Sequence, residues 1–289
     1  LDAASRRWTG IVHRIEQLDA EPSGATAYSI RLAPSLWRLT RRTNCRIFQH
    51  LSIPEIATAL LAEWDILPTL RLDPTAFARH EYRVQYGETD FAFLSRLLEE
   101  AGIAYFFDDP ELPSDAADQP WSRLVLAEDA TRREPRAAAL DYWNAKDLPN
   151  DREALAQVRA MREVRPGRTT LRDFDFRARP RHKLFSTAVT DSEAESRIET
   201  YEYLPGAFVI EPGEASPRVD EREAQARADK ALAAQRGGRF AVSYRANVLD
   251  LAPGVVFSMH GHPHPDLGDK QSLLVTAQRI EGTRNGEWT

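Results

Sequence analysis

Hydrophobic and polar positions alternate most legibly between residues 45 and 107. After Ser52, the residues Ile56, Ala59, Leu60 and Trp64 recur at helical spacing, and Glu55 stands three places beyond the serine. Ser52 and Glu55 form a capping box, and Pro54 falls in the first turn, where its missing N–H is not needed. A helix is predicted to start here. A second helix is predicted from Thr89 and Asp90, with Phe91, Leu94, Leu97, Leu98 and Ala101 on one stripe and Gly102 placed for a left-handed end. Residues 81–86 alternate polar with apolar side chains, and residues 103–107 form a short aromatic and branched run. Both read as strands. The resulting order of helix, strand, helix, strand contains no obvious chemistry.

The flanks are richer in strand. Residues 8–18 and 27–32 alternate on either side of Pro22, Ser23 and Gly24, which predicts an antiparallel hairpin. Residues 108–119 turn to Asp, Pro, Ser and Ala, a long loop before a strand at 121–126 that is expected to pair with 103–107. Residues 154–164 alternate through Leu155, Val158 and Met161; Pro166 and Gly167 mark a turn, and a strand opens at Thr169. Phe174 and Phe176 then share one face, with Asp173 and Asp175 expected at a surface or interface on the other. Residues 221–235 are strong helix formers with a small-residue face of Ala224, Ala228, Ala231 and Leu232, predicting a helix that packs closely on a sheet and stops before Gly237 and Gly238. The final part reads as strands at 240–246, 255–260 and 271–280, with a turn at Pro253 and Gly254.

Composition narrows the classes. With 289 residues, 42% hydrophobic and 28% charged, the chain is an ordinary globular one, long enough for two or more compact units. A net charge of −6 provides no general basic field, so nucleic acid is not an expected partner. No run approaches the ~18 apolar residues of a membrane span, and the opening residues lack a signal peptide's apolar core. Cys45 is the single cysteine, which excludes an intrachain disulfide; a buried, inert thiol is expected. The chain opens on Leu1 rather than Met, which reads as a piece of a longer protein.

Candidate chemistry is sparse. Arg38, Arg41, Arg42 and Arg46 make a basic run, read as a solvated face or a salt-bridged subunit contact rather than a phosphate site. His50 and His80 have no ligand spacing and are expected to be structural or exposed. Asp108, Asp109, Asp115 and Asp118 lack the fixed Gly and Glu of a calcium loop. His260, His262 and His264, with Asp266 nearby, are the one metal-like constellation, because alternate residues of an extended chain share a face and imidazoles suit zinc, copper or nickel. Gly261, Pro263 and Pro265 favour a tight turn instead. Glu16, Glu99 and Glu100 do not make a hydrolase pair, and solvation at a helix end accounts for the last two. There is no Gly-x-Ser-x-Gly elbow, no His-Glu-x-x-His helix and no Gly-rich phosphate loop. No catalytic, cofactor-binding or metal residue is therefore nominated, and no cofactor is expected.

The stretches CRIFQ at 45–49, IPEI at 53–56 and VQYGETDFAFLSRLLEEAGIAYFF at 84–107 resemble the valine-glycine repeat protein G (VgrG) family, the spike proteins of type VI secretion systems, which are related to contractile phage tail hubs. WRLTRRTNCRIFQ at 37–49 and GHPHPDLGDKQSLLVTAQRIEG at 261–282 extend the resemblance over most of the chain. It implies an α+β, β-rich, phage tail hub-like fold: two β-barrel domains with inserted α/β elements. The implied boundaries are 1–50 for a partial first barrel whose earlier strands would precede Leu1, 51–165 for the inserted α/β part, and 166–289 for the second barrel with its helix near 221–235. The family's second barrel would open at Asp173, Phe174, Asp175 and Phe176, and its turns match Pro205-Gly206, Pro253-Gly254 and His262-Pro263. The implied function is a structural, non-enzymatic homotrimer that adapts an Hcp-type hexameric tube to a trimeric needle. Baseplate proteins would be its partners, as would effector or tip proteins carried on the needle. It would assemble in the bacterial cytoplasm and then be secreted or injected into a target cell, with no stable membrane span. Two other readings stand beside this one: a phage or tailocin baseplate hub, and a metal-dependent hydrolase using His260, His262 and His264.

Overall fold

The computed structural model describes residues 8–20, 26–108, 122–174, 185–204, 208 and 221–282. In chain order its elements are β1 (Ile11–Ala20), β2 (Thr26–Ala33), β3 (Thr43–Leu51), α1 (Ile53–Ala62), β4 (Thr69–Arg71), β5 (His80–Thr89), α2 (Asp90–Ala101), β6 (Ala104–Asp108) and β7 (Arg123–Ala127). There follow β8 (Leu140–Tyr142), β9 (Ala154–Arg162), β10 (Arg168–Arg172), β11 (Phe185–Val189), β12 (Glu199–Tyr203), α3 (Glu221–Arg236), β13 (Phe240–Ala246), β14 (Val256–His260) and β15 (Ser272–Leu274). The fold is α+β and rich in strands. The described residues divide into two compact units, one holding 8–129 and 160–241, the other 130–159 and 242–282.

In the larger unit, α1 and α2 build the main core. Ser52 Oγ accepts from the Glu55 N–H and Glu55 Oε2 accepts from the Ser52 N–H at 2.8 Å, the reciprocal box expected from the sequence. The buried stripe of α1 is Ile53, Ile56, Ala57, Leu60 and Leu61; Ala59 faces solvent, so the stripe is wider than predicted and turned to one side of it. Asp65, at φ +57°, turns the chain out of α1 while Ile66 donates back to the Leu61 carbonyl, a left-handed end without glycine. Helix α2 ends as predicted. Gly102 lies at φ +68°, and the N–H groups of Gly102 and Ile103 close onto the carbonyls of Glu99 and Leu98 at 3.0 and 2.8 Å. Its largest buried side chain is Phe93, stacked on Phe48, whereas Phe91 is only half-buried.

Four small sheets surround this core. β1 and β2 form the predicted antiparallel hairpin, and β3 pairs antiparallel with β5. β6 and β7 pair antiparallel across residues 109–121, with β4 added parallel to β7. β10 lies between antiparallel β11 and parallel β12. Helix α3 packs on that last sheet, burying Ala224, Ala228 and Leu232 with Leu171, Ala188 and Phe208. The smaller unit is a five-stranded sheet in the order β13-β9-β8-β14-β15, whose core holds Leu140, Leu155, Phe257 and Met259.

Several expectations are corrected. The last strand spans only Ser272–Leu274: Val275 still bonds Val255 through its N–H and Gly254 through its carbonyl, and residues 276–282 carry no strand. Cys45 is exposed, since it falls on the outer face of the two-stranded β3–β5 sheet. Asp173 is buried rather than superficial: its carboxylate accepts the N–H groups of Phe174 at 2.6 Å and Phe208 at 2.9 Å, so it serves as an internal turn acceptor. The turn at Pro22 to Gly24, the acidic residues Asp109, Asp115 and Asp118, Trp121, Asp175, Phe176, Pro205 and Gly206 lie outside the described residues.

Candidate functional site

The basic run divides: Arg41 is exposed beside the Trp37 ring, whereas Arg38, Arg42 and Arg46 turn inward to partners within the chain. Arg42 Nε and Arg46 Nη2 donate to the two oxygens of Asp90 at 2.7 and 2.9 Å, and both arginines reach Glu63 with their other nitrogens. Asp90 has no exposure at all; Gln85 Nε2 and Trp64 Nε1 complete its shell at 2.9 and 3.1 Å. Arg42 also lies 4.7 Å from the Trp64 ring centre, and Arg38 donates to the Trp64 carbonyl. Burial would raise the Asp90 pKa, but hydrogen bonds from Gln85, Arg42 and Trp64 and the Arg46 charge outweigh it and hold the carboxyl below its ordinary range. Asp90 opens α2, where the helix dipole also favours a negative charge. The four donors take up the carboxylate's hydrogen-bonding capacity, so this cluster locks β3, β5, α1 and α2 together.

A second charged cluster joins β5, α2 and α3. Glu100 is not a solvated helix-end residue. Arg83 Nη2 donates to its Oε1 at 2.7 Å, and Arg227 Nη1 lies in ion-pair contact with the same oxygen. His80 is buried against Arg83, at 3.4 Å, and so has a structural place; His50, by contrast, is exposed at φ +57°. Burial lowers the Arg83 pKa to about 10, with the Arg227 and Arg96 charges adding to the effect against Glu100 and Asp173. The sequence offered no sign that Arg227, in a helix of alternating charge, would be almost fully buried.

His260 ends β14, and His262 and His264 follow in the turn after it, each engaged locally. His260 Nδ1 lies 3.0 Å from Asp269, while His262 Nδ1 and His264 Nδ1 accept the N–H groups of His264 and Asp266 at 3.1 and 3.2 Å. The His262 ring meets Tyr142 edge-on at 4.4 Å and is 6.5 Å from that of His264. Burial, then the neighbouring His264, lowers the His262 pKa. Among the described residues, no three His, Cys, Asp or Glu side chains are grouped to hold a metal ion. Among the same residues, no helix is long and apolar enough to cross a membrane.

What the larger unit does present is uncovered sheet surface. In the β1–β2 hairpin, Val12, Ile15 and Gln17 stand opposite Leu32, Ile30 and Tyr28, and the register shift between Val12 and Arg14 keeps this uncharged set on one face. In β3–β5, Cys45, Ile47 and Gln49 stand opposite Tyr86, Val84 and Tyr82, again without a formal charge; Ile47 is 66% exposed and Tyr86 83%. The outer side of β10–β12 adds Phe185, Val189, Tyr201 and Tyr203, each about half exposed. The first two faces, uncharged and tyrosine-bearing, have the composition of interface centres, while the third also carries Arg168, Arg172 and Glu199. Alternation in the sequence revealed the faces but not which of them the fold leaves open.

The matches to known proteins agree with a chain made for assembly. The family model described as "Phage tail baseplate hub (GPD)" matches residues 1–286. The type VI secretion system spike protein VgrG1b of Pseudomonas aeruginosa is 30% identical over 281 residues, covering 96% of this chain and 35% of that protein. VgrG1a of the same organism is 31% identical over 283 residues, covering 96% and 40%. The chain thus spans well under half the length of these relatives. Among solved structures, the Escherichia coli c3393 protein, a type VI component described as similar to T4 tail proteins gp27 and gp5, superposes with a TM-score of 0.59 at 19% identity, over 96% of this chain and 56% of that one. A Neisseria meningitidis tail protein gives 0.57 at 14% identity, over 88% and 70%. The fold is that of phage tail hub proteins, and the chain belongs to the phage tail baseplate hub (GPD) family.

Proposed function

We propose that this chain is the hub portion of a type VI secretion spike, a structural and non-enzymatic part. It acts as a homotrimer that matches a hexameric Hcp-type tube on one side and a trimeric needle on the other. The observation that carries this reading is the family match along 1–286, joined to three open sheet faces that suit protein contacts. Two barrels per chain, with boundaries near residues 50 and 165, would give three chains six similar units around a pore. Baseplate proteins dock on the assembled hub, effectors or tip proteins ride on the needle, and assembly in the cytoplasm precedes injection into a target cell. Light scattering and particle averaging of the chain within a full-length spike test the proposal. A trimer with a sixfold-like ring is expected; a monomer at micromolar concentration in that setting overturns it. A phage or tailocin hub is the second reading, favoured by the fold likeness to the Neisseria tail protein. Copurification with a secretion tube rather than a virion tail separates the two.

A further inference from the structure

The turn that joins β14 to β15 is closed by side-chain nitrogens. His262 Nδ1 accepts the His264 N–H at 3.1 Å, and His264 Nδ1 accepts the Asp266 N–H at 3.2 Å. A backbone N–H can only donate, so each imidazole presents a lone pair at Nδ1 and carries its single proton at Nε2. Both rings are therefore neutral. A proton added at the His262 Nδ1 would set N–H against N–H and abolish the bond. Little stands ready to offset the added charge. Tyr142 of β8 meets the His262 ring edge-on at 4.4 Å, with its hydroxyl donating to Asn144, and the His264 ring lies 6.5 Å away. The carboxylates of the turn go to the other two histidines: Asp269 stands 3.0 Å from His260 Nδ1 and Asp266 3.9 Å from His264 Nδ1. Among the described residues, none pairs with His262.

We propose that residues 261–266 form a proton-operated catch in the smaller unit: the neutral His262 ring closes it, and a proton on that ring opens it. The direction of the response follows from the surroundings of the ring. Burial, then His264, lowers the His262 pKa from its ordinary value of 6.5. The opened turn thus takes up the proton first, so the His262 bond contributes in full above about pH 6.5 and is lost as the pH falls through the closed-state value. His260 responds with the opposite sign. A proton there completes an ion pair with Asp269, which also accepts the Gly261 N–H at 3.3 Å, so the stem of the turn holds in acid while its tip is released. None of this depends on the spike reading.

The test is NMR of the whole chain at about pH 8 and about pH 5, reading the imidazole nitrogen shifts and the exchange of backbone amides with water. At the higher pH the His262 Nδ1 should show the shift of an unprotonated nitrogen. On acidification the His264 amide, corrected for its intrinsic exchange rate, should lose about tenfold in protection, the value of one lost hydrogen bond, while the amides of β14 keep theirs. His262→Asn places an oxygen that takes no proton in this range where Nδ1 stands, and an Asn side chain accepts from the N–H two residues on. In that variant the His264 amide should stay protected at both pH values; in His262→Ala it should be open at both. A ring protonated at Nδ1 already near pH 8, equal protection of the His264 amide at both pH values, loss of the β14 amides along with it, or a His262→Asn chain that still opens in acid would each overturn the proposal.

Discussion

The two arginine clusters use the same residue types to opposite effect. At Asp90, two arginines, a glutamine and a tryptophan surround a carboxylate with no exposure, and every one of its acceptor positions is taken. At Glu100, two arginines crowd one oxygen of a carboxylate that keeps 21% of its side-chain surface exposed, and guanidinium donors remain unused. The difference lies in what the chain brings to the charge. Asp90 is met by neutral donors from β5 and the end of α1 as well as by cations, so charge and hydrogen bonding close together. Glu100 is met almost only by cations, so charge is nearly balanced while hydrogen bonding is not. A buried ion pair is therefore informative through its leftover atoms more than through its presence.

Removing the central acid from each cluster separates them most sharply. Asp90→Ala takes the shared acceptor from four donors, of which Arg42 and Arg46 keep Glu63, and should cost about 3–5 kcal/mol, read as a lower urea midpoint. Glu100→Gln changes a side chain that is 21% exposed to water and should cost less, about 1–3 kcal/mol. Equal losses would show that the two clusters are not different in kind. Acid provides the next contrast. Because folding holds the Asp90 pKa below its unfolded value, its contribution is complete above about pH 4 and is lost as pH falls through the folded value. A pH series of urea midpoints on Asp90→Asn should lack that part of the acid limb. Arg46→Lys, which keeps the charge but removes the fork that reaches Asp90, Gln85 and Glu63, should cost about 1 kcal/mol. Smallest of all, Tyr86→Ser on the open β3–β5 face should alter stability by no more than about 0.5 kcal/mol while weakening self-association in light scattering.

Local chemistry was well written in the sequence. The Ser52 box, the Gly102 end, the β1–β2 and β6–β7 pairings and the small-residue face of α3 all depend on neighbours a few residues away or on simple alternation. What escaped depends on distant partners. Nothing near Asp173 announces that the N–H of Phe208 will need its carboxylate, and nothing near Arg227 announces Glu100. Cys45 was expected inside because thiols usually are, but exposure in a two-stranded sheet follows from which face finds a core, and only Phe48 and its neighbours on the other face do. The open faces themselves follow the same rule: alternation marks them, and tertiary packing decides which stay bare.

The smaller unit draws its sheet from two stretches, with β8 and β9 before residue 163 and β13 to β15 after residue 239. Everything between belongs to the larger unit. On a ribosome, β8 and β9 emerge as a parallel pair with no strand yet available on either side, and they must wait while the intervening chain is made. A cell producing this protein therefore carries an unfinished sheet edge through each round of translation. Slower synthesis over residues 163–239 would lengthen that wait and raise the fraction lost to aggregation before the chain is complete.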